Sequence, residues 1–546
     1  MQTVPLEPDW RKATLSEPKK QNYLQGAAIL AAGVIIMKIL GFIYKVPLGN
    51  ILGDEGYTHF LVAYNIYSVF LTLATAGLPV ALSRMISEAN TMNRPNQVRR
   101  IFSVAWRTFF VLGVVCTLIM ALFPDELADL LGDPEANISI MVLSPAVLLV
   151  CLTSAYRGYC QGHENMTPTT VGQVLEVLAK VIAGLALAWY LTRAGYSLPK
   201  SSAGAIFGVT VGSLAALGYM LLYKRRHYSS AANGNDTPES RGQALRTLLR
   251  IGIPITIGSS VLSLINLVDS GLCLGRLQDA AGFSYEEAKV LFGVYGKAQT
   301  LYNLPASFIT PLTISVVPAI AAAIALHRNR EASRIAENSL RIAAVIALPM
   351  GVGLSVLADP IMATVYPDSH ASGGLLLTIM GAASFFVCMA LMMNAVLQAG
   401  GNEKYPIYSM IVGGIVKIGV NWFLVADPDI NIVGAPIGTL SCYVVMCVMN
   451  FAFIRHCMPE KPSLGRIMVR PLISSAAMGA AAWAVYGLCS RFLGDGYLHT
   501  ALSMLVAIAV AVIVYLVLVI ALRAVTYEDM KLLPKGEKLA RLLHIK

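Results

Sequence analysis

Charged residues are scarce in this chain of 546 residues. Only 13% of the residues are Asp, Glu, Lys or Arg, whereas a soluble globular protein has about 25%. Hydrophobic residues make up 56% of the chain, and the few charges form short clusters between long apolar runs. This composition excludes an ordinary soluble domain and predicts a protein embedded in a membrane.

Several motifs of soluble function are also missing. The nine cysteines are scattered, with no C-x-x-C pair and no Cys/His cluster at metal-ligand spacing, so we expect neither a metal site nor a disulfide framework. No basic domain is interleaved with aromatic residues, which argues against nucleic-acid binding despite the net charge of +10. The predicted external loops are short, and their few acids suggest solvated charges, so we do not expect an enzyme.

The apolar runs predict the number of membrane crossings. A helix needs about 20 apolar residues to cross the hydrocarbon core, and by this measure the sequence contains fourteen candidate spans. The first span is too long to be a cleaved signal peptide, so we expect it in the mature protein. The spans are 24–48, 58–83, 101–123, 136–157, 168–191, 201–223, 251–275, 290–326, 337–365, 372–399, 405–425, 432–454, 467–490 and 498–522.

The distribution of Lys and Arg predicts the orientation, because these residues concentrate on the cytoplasmic side of membrane proteins. With the N-terminus inside, 30 of the 41 basic residues fall in inner loops or tails, Arg157 among them. Five fall in outer loops, Lys289 among them, and six fall inside the spans. We therefore expect a multi-pass protein of the bacterial cytoplasmic membrane with both termini in the cytoplasm.

A repeat divides the chain into two similar parts. A Gln-to-Pro segment follows span four at 161–168 and span ten at 398–406, and in both a Lys stands nineteen residues after the Gln, at Lys180 and Lys417. Two parallel six-helix units around a cavity are typical of transporters. The predicted division is a cytoplasmic tail 1–23, a first lobe 24–223, a cytoplasmic linker 224–250, a second lobe 251–457, two further helices within 458–522, and a basic cytoplasmic tail 523–546.

Two segments make a family resemblance specific. The stretch 37–56, MKILGFIYKVPLGNILGDEG, and the stretch 73–84, LATAGLPVALSR, resemble the opening of the MurJ/SpoVB lipid flippases of the multidrug/oligosaccharidyl-lipid/polysaccharide exporter superfamily. The similarity extends along the whole chain and is stronger for the Gram-positive, sporulation-type branch. It implies a flippase that moves lipid II, or a related undecaprenyl-pyrophosphate sugar, from the inner to the outer leaflet.

Six basic residues lie inside the predicted spans, and such charges normally face a watery cavity or a partner. They are Lys38, Lys45, Arg107, Lys180, Lys297 and Lys417. An excess of intramembrane cations over acids suits a pyrophosphate, which Lys binds as a flexible point charge. We expect Arg107 to reach the cytoplasmic surface, and the other cations to be candidates for binding or coupling.

The candidate substrate-binding residues are Lys38, Lys45, Lys180, Glu176, Lys297 and Asn303. The resemblance places Lys38 where Gram-negative relatives have an Arg, and puts their next basic position at Tyr44, beside Lys45. Lys297 begins a polar stripe with Thr300, Asn303 and Ser307 at helical spacing. Glu176 and Lys180 are four residues apart, which predicts either a salt bridge within one helix or a pair that changes partners during transport.

The candidate gate and coupling residues are Arg84, Glu88, Asp269, Lys417 and Asn421. Arg84 and Glu88 end span two and suggest either an inner gate or a solvated helix end. Lys417 lies one turn before Asn421, where its ammonium could pair with Asp269 and take the place of a bound cation. Some members of the superfamily bind Na⁺ through an acid and amides of these helices, so coupling to Na⁺ is one possibility. A Lys417–Asp269 pair would instead leave the membrane potential or H⁺ as the driving force, and no other cofactor is expected.

The leading hypothesis from the sequence is a lipid II flippase that works by alternating access through a cationic cavity. Its expected partners are the undecaprenyl-pyrophosphate glycolipid, membrane lipids and the cell-wall synthesis machinery. The alternatives are an exporter of another polyprenyl-linked oligosaccharide and a drug or cation antiporter, which would need an acidic cavity. The last two helices are expected, from the resemblance, to contact the prenyl tail.

Overall fold

A computed structural model describes residues 23–228, 236–458, 461–494 and 496–522, and within these ranges all regular secondary structure is helical. The predicted tails lie outside the described residues, apart from Tyr23, as do residues 229–235 of the predicted linker. The first seven helices are α1 (Tyr23–Thr75), α2 (Gly77–Thr91), α3 (Pro95–Leu122), α4 (Pro124–Leu130), α5 (Asn137–Gly162), α6 (Thr167–Arg193) and α7 (Leu198–His227). The others are α8 (Arg241–Asp279), α9 (Tyr285–Tyr302), α10 (Leu304–Ala325), α11 (Asn329–Val356), α12 (Ala358–Val365), α13 (Gly373–Ala399), α14 (Lys404–Leu424), α15 (Gly434–Cys457), α16 (Leu464–Leu493) and α17 (Tyr497–Ala521).

Helix α1 consists of two membrane crossings joined at Gly53. Gly53 has a φ of 70°, a conformation that glycine adopts without a steric penalty. The rings of Tyr44 and Phe60, on either side of this residue, have centroids 5.9 Å apart, whereas on one straight helix the two positions would be about 24 Å apart. The chain therefore reverses direction at Gly53.

The predicted membrane fold is confirmed. Thirteen helical segments of the described chain are long and apolar enough to cross a membrane, and the first of them, Ile29–Thr91, contains the reversal at Gly53. Counting that segment twice gives the fourteen predicted crossings. Span eight, predicted as continuous, is broken: α9 ends at Tyr302 and α10 begins at Leu304, with Pro305 in its first turn, a position that proline favours.

The helices form two bundles and a separate pair. In the first half, α1 to α7, helix α5 packs against α3 and α7, and α6 packs against α7 and α1. In the second half, α8 to α15, helix α13 packs against α11 and α15, and α14 packs against α15. The C-terminal pair, α16 and α17, contacts α11 and α12. The exact domain boundaries stay a prediction.

Contacts between loops show which of them share an end of the molecule. At the linker end, where α7 leads to α8, the Asp236 carboxylate accepts hydrogen bonds from the backbone N–H groups of Asn96 (3.0 Å) and Gln97 (2.9 Å) at the start of α3. Desolvation alone would raise the pKa of Asp236, but these hydrogen bonds hold that pKa below its ordinary value. The linker is thus attached to the first half directly before α8 begins.

The opposite end, called here the far end, joins the two halves. Asp54, directly after the reversal in α1, accepts hydrogen bonds from Ser369 Oγ (2.8 Å) and from the backbone N–H of His370 (2.9 Å), between α12 and α13. The largest hydrophobic core also combines the first half with α9, α12 and α13. The far end is therefore packed across the boundary between the halves.

Candidate functional site

The two repeat lysines occupy equivalent places in the fold. Lys180 lies thirteen residues after the first residue of α6, and Lys417 lies thirteen residues after the first residue of α14. Each lysine reaches residues of the first helix of its own half, α1 or α8. Their partners differ, however, and this difference defines the site.

In the first half, Lys180 rests on aromatic rings. Its ammonium lies 5.2 Å from the ring centroid of Tyr44 and 5.6 Å from that of Tyr64, within the range of a cation–π contact. Tyr44 is buried, and its hydroxyl donates to the backbone carbonyl of Ala205 at 3.0 Å. Lys180 has no carboxylate partner within the described part of the chain, so its positive charge remains uncompensated.

The predicted salt bridge between Glu176 and Lys180 is wrong. Glu176 Oε2 instead lies 2.5 Å from Arg157 Nη2 of α5, and both side chains are largely buried. The charge distribution in the sequence placed Arg157 in an inner loop. This assignment is wrong, because α5 continues to Gly162 and Arg157 lies within that helix. The Arg157 guanidinium forms an ion pair with the Glu176 carboxylate, so the Lys180 ammonium remains available to another anion.

Lys38 and Lys45 add two more cations from α1. Seven residues separate them, so they lie on one face of the helix about 10 Å apart. Lys38 is exposed and Lys45 is half-buried, and Lys45 directly follows Tyr44, on whose ring the Lys180 ammonium lies. Neither lysine forms an ion pair with any residue that the structure describes. Lys38, Lys45 and Lys180 are called here the first-half lysine cluster.

In the second half, the equivalent lysine is neutralised. Lys417 Nζ lies 2.7 Å from Asp269 Oδ2 of α8, with both side chains almost fully buried. Asn421, one turn after Lys417, donates from Nδ2 to Asp269 Oδ1. The ion pair between Lys417 and Asp269, which was one interpretation of the sequence, is thus present. The Lys417 ammonium therefore compensates the buried Asp269 carboxylate.

Lys297 belongs to the boundary between the halves and not to the lysine cluster. Its ammonium lies 2.6 Å from Asp54 Oδ1, and its side chain is buried. The predicted polar stripe is interrupted at Asn303, because α9 ends at Tyr302 and Asn303 is exposed between two helices, whereas Lys297 and Thr300 are buried. Asn303 donates to the carbonyl of Gln299 at 2.7 Å and forms no hydrogen bond with a candidate lysine within the described part of the chain.

Arg84 and Glu88 form an exposed pair on α2 near the linker end. Arg84 Nε lies 3.0 Å from Glu88 Oε1, and the side chains are 66% and 57% exposed. This pair lies within one helix and does not bridge the two halves. A role in gating stays a prediction.

The sequence did not reveal the ionic contacts at the far end. Lys289, predicted as an outer-loop residue, is completely buried and contacts Glu55 at 2.8 Å and Glu135 at 3.0 Å. The assignment of Lys289 to an outer loop is therefore wrong, because this residue lies within α9. The adjacent acids Asp54 and Glu55, directly after Gly53 in an acid-poor region, were the available signal for these contacts.

A family model described as "Polysaccharide biosynthesis protein" matches residues 23–324, more than half of the chain. The chain belongs to this polysaccharide biosynthesis protein family. The match covers the whole first half, including the lysine cluster, and extends through α8 and α9 to α10.

Relatives of this family member occur in Bacillus subtilis (strain 168). It is 27% identical to the uncharacterized membrane protein YabM over 96% of this chain and 97% of the relative. It is 27% identical to stage V sporulation protein B, covering 81% of this chain and 85% of the relative. Identity to the lipid II flippase MurJ is 25%, covering 89% of this chain and 93% of the relative.

Solved structures show the same fold. A lipid II flippase MurJ in an inward closed conformation matches with a TM-score of 0.66 and 15% identity, covering 90% of this chain and 98% of the other. An inward-facing multidrug transporter of the MATE family matches with a TM-score of 0.63 and 17% identity, covering 78% of this chain and 97% of the other. This family member therefore has the polytopic fold of MurJ and MATE transporters, and these relatives are transporters rather than enzymes.

Proposed function

We propose that this protein is a flippase for an undecaprenyl-pyrophosphate-linked glycan, with lipid II as the first candidate substrate. The observation that carries this proposal is the first-half lysine cluster, whose three ammonium groups have no carboxylate partner within the described residues. A pyrophosphate carries the negative charge that such a cluster lacks, and hydrogen bonds from an ammonium to phosphate oxygens are among the stronger ones. The similarity to the B. subtilis lipid II flippase MurJ supports the same class of substrate.

The neighbours of the cluster maintain its charge. Arg157 forms an ion pair with Glu176, and therefore this acid does not neutralise Lys180 one turn away. Tyr44 and Tyr64 hold the Lys180 ammonium through their ring faces without cancelling its charge. We infer that the lysines attract the pyrophosphate while the prenyl tail remains in the bilayer, and that they release it when the cavity changes sides.

We also propose the orientation. The linker end would face the cytoplasm of a bacterium, because the basic loops and both predicted tails belong to that end. The far end would then face outward, where enzymes of the cell-wall synthesis machinery would receive the transported precursor. The surrounding membrane lipids are the remaining expected partners.

The ion pair in the second half supports a proposal for the driving force of transport. Lys417 supplies a permanent cation to Asp269, so we infer transport driven by the membrane potential or by H⁺ rather than by Na⁺. Steady transport at constant potential in Na⁺-free buffer supports this inference. A steep rise of transport with Na⁺ concentration contradicts it.

Two alternative substrates are distinguished by the same charges. Another polyprenyl-linked oligosaccharide would use the same lysines, since its pyrophosphate is identical, and only its sugars would differ. A cationic drug would need free carboxylates, yet Glu176 and Asp269, the two acids proposed for that role, each have a cationic partner. The structure therefore favours the anionic substrate.

The test is complementation of cells depleted of their lipid II flippase. We expect Lys38→Ala and Lys180→Ala to abolish or strongly reduce rescue, because each removes a charged hydrogen bond of about 1.5–3 kcal/mol to the pyrophosphate. Leaflet-accessibility assays with lipid II and with another polyprenyl-linked glycan then identify the substrate. Arg107→Ala, which removes an exposed cation of α3, is the matched control and should retain rescue. Full rescue by both lysine variants, at normal membrane levels, would overturn the site assignment.

A further inference from the structure

A buried imidazole at the far end lies beside two carboxylates of the first half. His59 of α1 is completely buried, and Glu55 stands four residues earlier, on the same face of the helix. Glu135 belongs to the short helical turn Pro134–Ala136 directly before α5. One ligand atom of each of these three residues lies within 4.8 Å of the others.

Asp133 fixes the orientation of this imidazole. His59 Nδ1 lies 2.8 Å from Asp133 Oδ2 and 2.9 Å from Oδ1, and because a carboxylate accepts, Nδ1 carries the proton. Tyr285 of α9 donates its hydroxyl to the same carboxylate at 2.6 Å. This arrangement leaves the lone pair of Nε2 directed away from Asp133. A carboxylate behind the other ring nitrogen is the usual support of a metal-binding histidine.

The other ring nitrogen faces an anion without a matching donor. His59 Nε2 has no hydrogen-bond partner within the described chain, although Glu135 Oε2 lies 3.4 Å away. A lone pair beside a carboxylate oxygen is unfavourable unless a positive charge lies between or near them. The positive charge present is Lys289 of α9, whose ammonium contacts Glu55, Glu135 and, at 2.9 Å, Glu286.

The ligands and the lysine belong to different halves. Glu55, His59 and Glu135 are all part of the first half, whereas Lys289 is part of the second. Any motion that separates the halves at the far end must withdraw Lys289 from two carboxylates and leave the three ligands together. The site is reachable from solvent at one of its ligands, because the Glu135 side chain is 46% exposed.

We propose that Glu55, His59 and Glu135 form a binding site for a divalent transition-metal ion such as Zn²⁺, for which Lys289 competes. One imidazole nitrogen and two carboxylates are ligands that Zn²⁺ accepts, with water completing the shell. The ion binds from the far end and stabilises the state in which Lys289 has withdrawn. This consequence for transport rests on the proposed flippase function, whereas the binding itself does not.

The experiment measures Zn²⁺ binding to the purified full-length protein by isothermal titration calorimetry, using an affinity tag that contains no histidine. Lys289→Ala should bind one Zn²⁺ at least tenfold more tightly than the unmodified protein, because the competing ammonium is gone. Adding His59→Gln to Lys289→Ala should remove this gain. Lys200→Ala, which removes an exposed lysine, is the matched control and should bind as the unmodified protein does.

Other outcomes overturn the proposal. Equal Zn²⁺ affinity with and without Lys289, or tight binding that survives His59→Gln, places the ion elsewhere. If Lys289→Ala does not fold, the unmodified protein at high Zn²⁺ concentration provides the second test, since its weaker binding must disappear in His59→Gln. Absence of binding in both folded proteins likewise overturns the proposal. The assay contains no lipid substrate, so a failure of the flippase proposal leaves its result unchanged.

Discussion

At the residue scale, the lysines at the equivalent position of α6 and α14 differ in whether their charge is neutralised. Lys180 lies over two tyrosine rings and keeps its charge available, whereas Lys417 is compensated by Asp269. A buried charge that loses its partner costs far more than an exposed one, because water no longer solvates it. The two lysines should therefore respond differently to the same substitution.

The first residue-scale prediction concerns the stability of the second half. Lys417→Met should lower the free energy of unfolding by about 3–5 kcal/mol, because it leaves the Asp269 carboxylate buried without a partner. The double variant Lys417→Met, Asp269→Leu should recover most of this loss, since no buried charge remains. Denaturant unfolding of the purified protein in detergent measures both values.

The equivalent substitution in the first half is the control. Lys180→Met should change the free energy of unfolding by less than about 1 kcal/mol, because no carboxylate loses a partner. If the double variant of the second half is as unstable as the sum of its two single variants, the buried pair is not the cause of the effect.

At the element scale, close approach of α1 and α9 joins the halves. A Cβ atom on Gly293 of α9 would collide with the backbone carbonyl oxygen of Asp54, which cannot move aside as a side chain could. Nearby, Thr58 Oγ1 donates to the carbonyl of Lys289 at 2.7 Å, and Tyr57 and Thr300 share a hydrogen bond of 3.1 Å. These hydrogen bonds form only when the backbones of α1 and α9 lie close together.

The element-scale prediction follows from this glycine. Gly293→Ala should push α9 away from α1 and lower the free energy of unfolding by about 1–3 kcal/mol, the usual cost of overpacking. Thermal unfolding in detergent measures the effect. Gly419→Ala on α14, where a Cβ would meet no atom within 4 Å, should be neutral or stabilising by about 1 kcal/mol. An equal response of the two variants would contradict the proposed close contact.

At the scale of the whole molecule, the halves contact each other at several places besides the linker. Helices α1 and α9, α1 and α8, and α2 and α8 all pack across the boundary. Polar bonds reinforce this packing, for example Asn65 Nδ2 to Ser270 Oγ at 2.7 Å and Asn50 Nδ2 to the carbonyl of Val365 at 2.9 Å. We therefore expect the halves to stay together without the covalent connection between α7 and α8.

The corresponding prediction is tested by cutting the chain. A protease site inserted within residues 229–235 should yield, after cleavage, two fragments that elute together in size-exclusion chromatography. Apolar and polar contacts between the halves should hold them in mild detergent. Separation of the fragments under conditions in which the uncut protein stays folded would show that these contacts are insufficient.

The number of crossings and the equivalence of the two halves could be predicted from the sequence. Both depend on local properties, namely the length of apolar runs and the spacing of residues along one helix. The position of Lys180 in α6 and of Lys417 in α14 followed from the repeat for the same reason. Charge counts likewise predicted which loops share an end, and the contacts of Asp54 and Asp236 agree with that alternation.

The partners of the charged residues were decided only by the tertiary structure. Glu176 contacts Arg157 rather than its helical neighbour Lys180, Lys297 contacts Asp54, and Lys289 is buried among carboxylates of the first half. These choices depend on distances between helices that are far apart in sequence, because an ion pair is governed by the nearest opposite charge and by the exclusion of water. The sequence alone determined which helices carry cations, and packing of the helices decided which cations remain free to bind an anion.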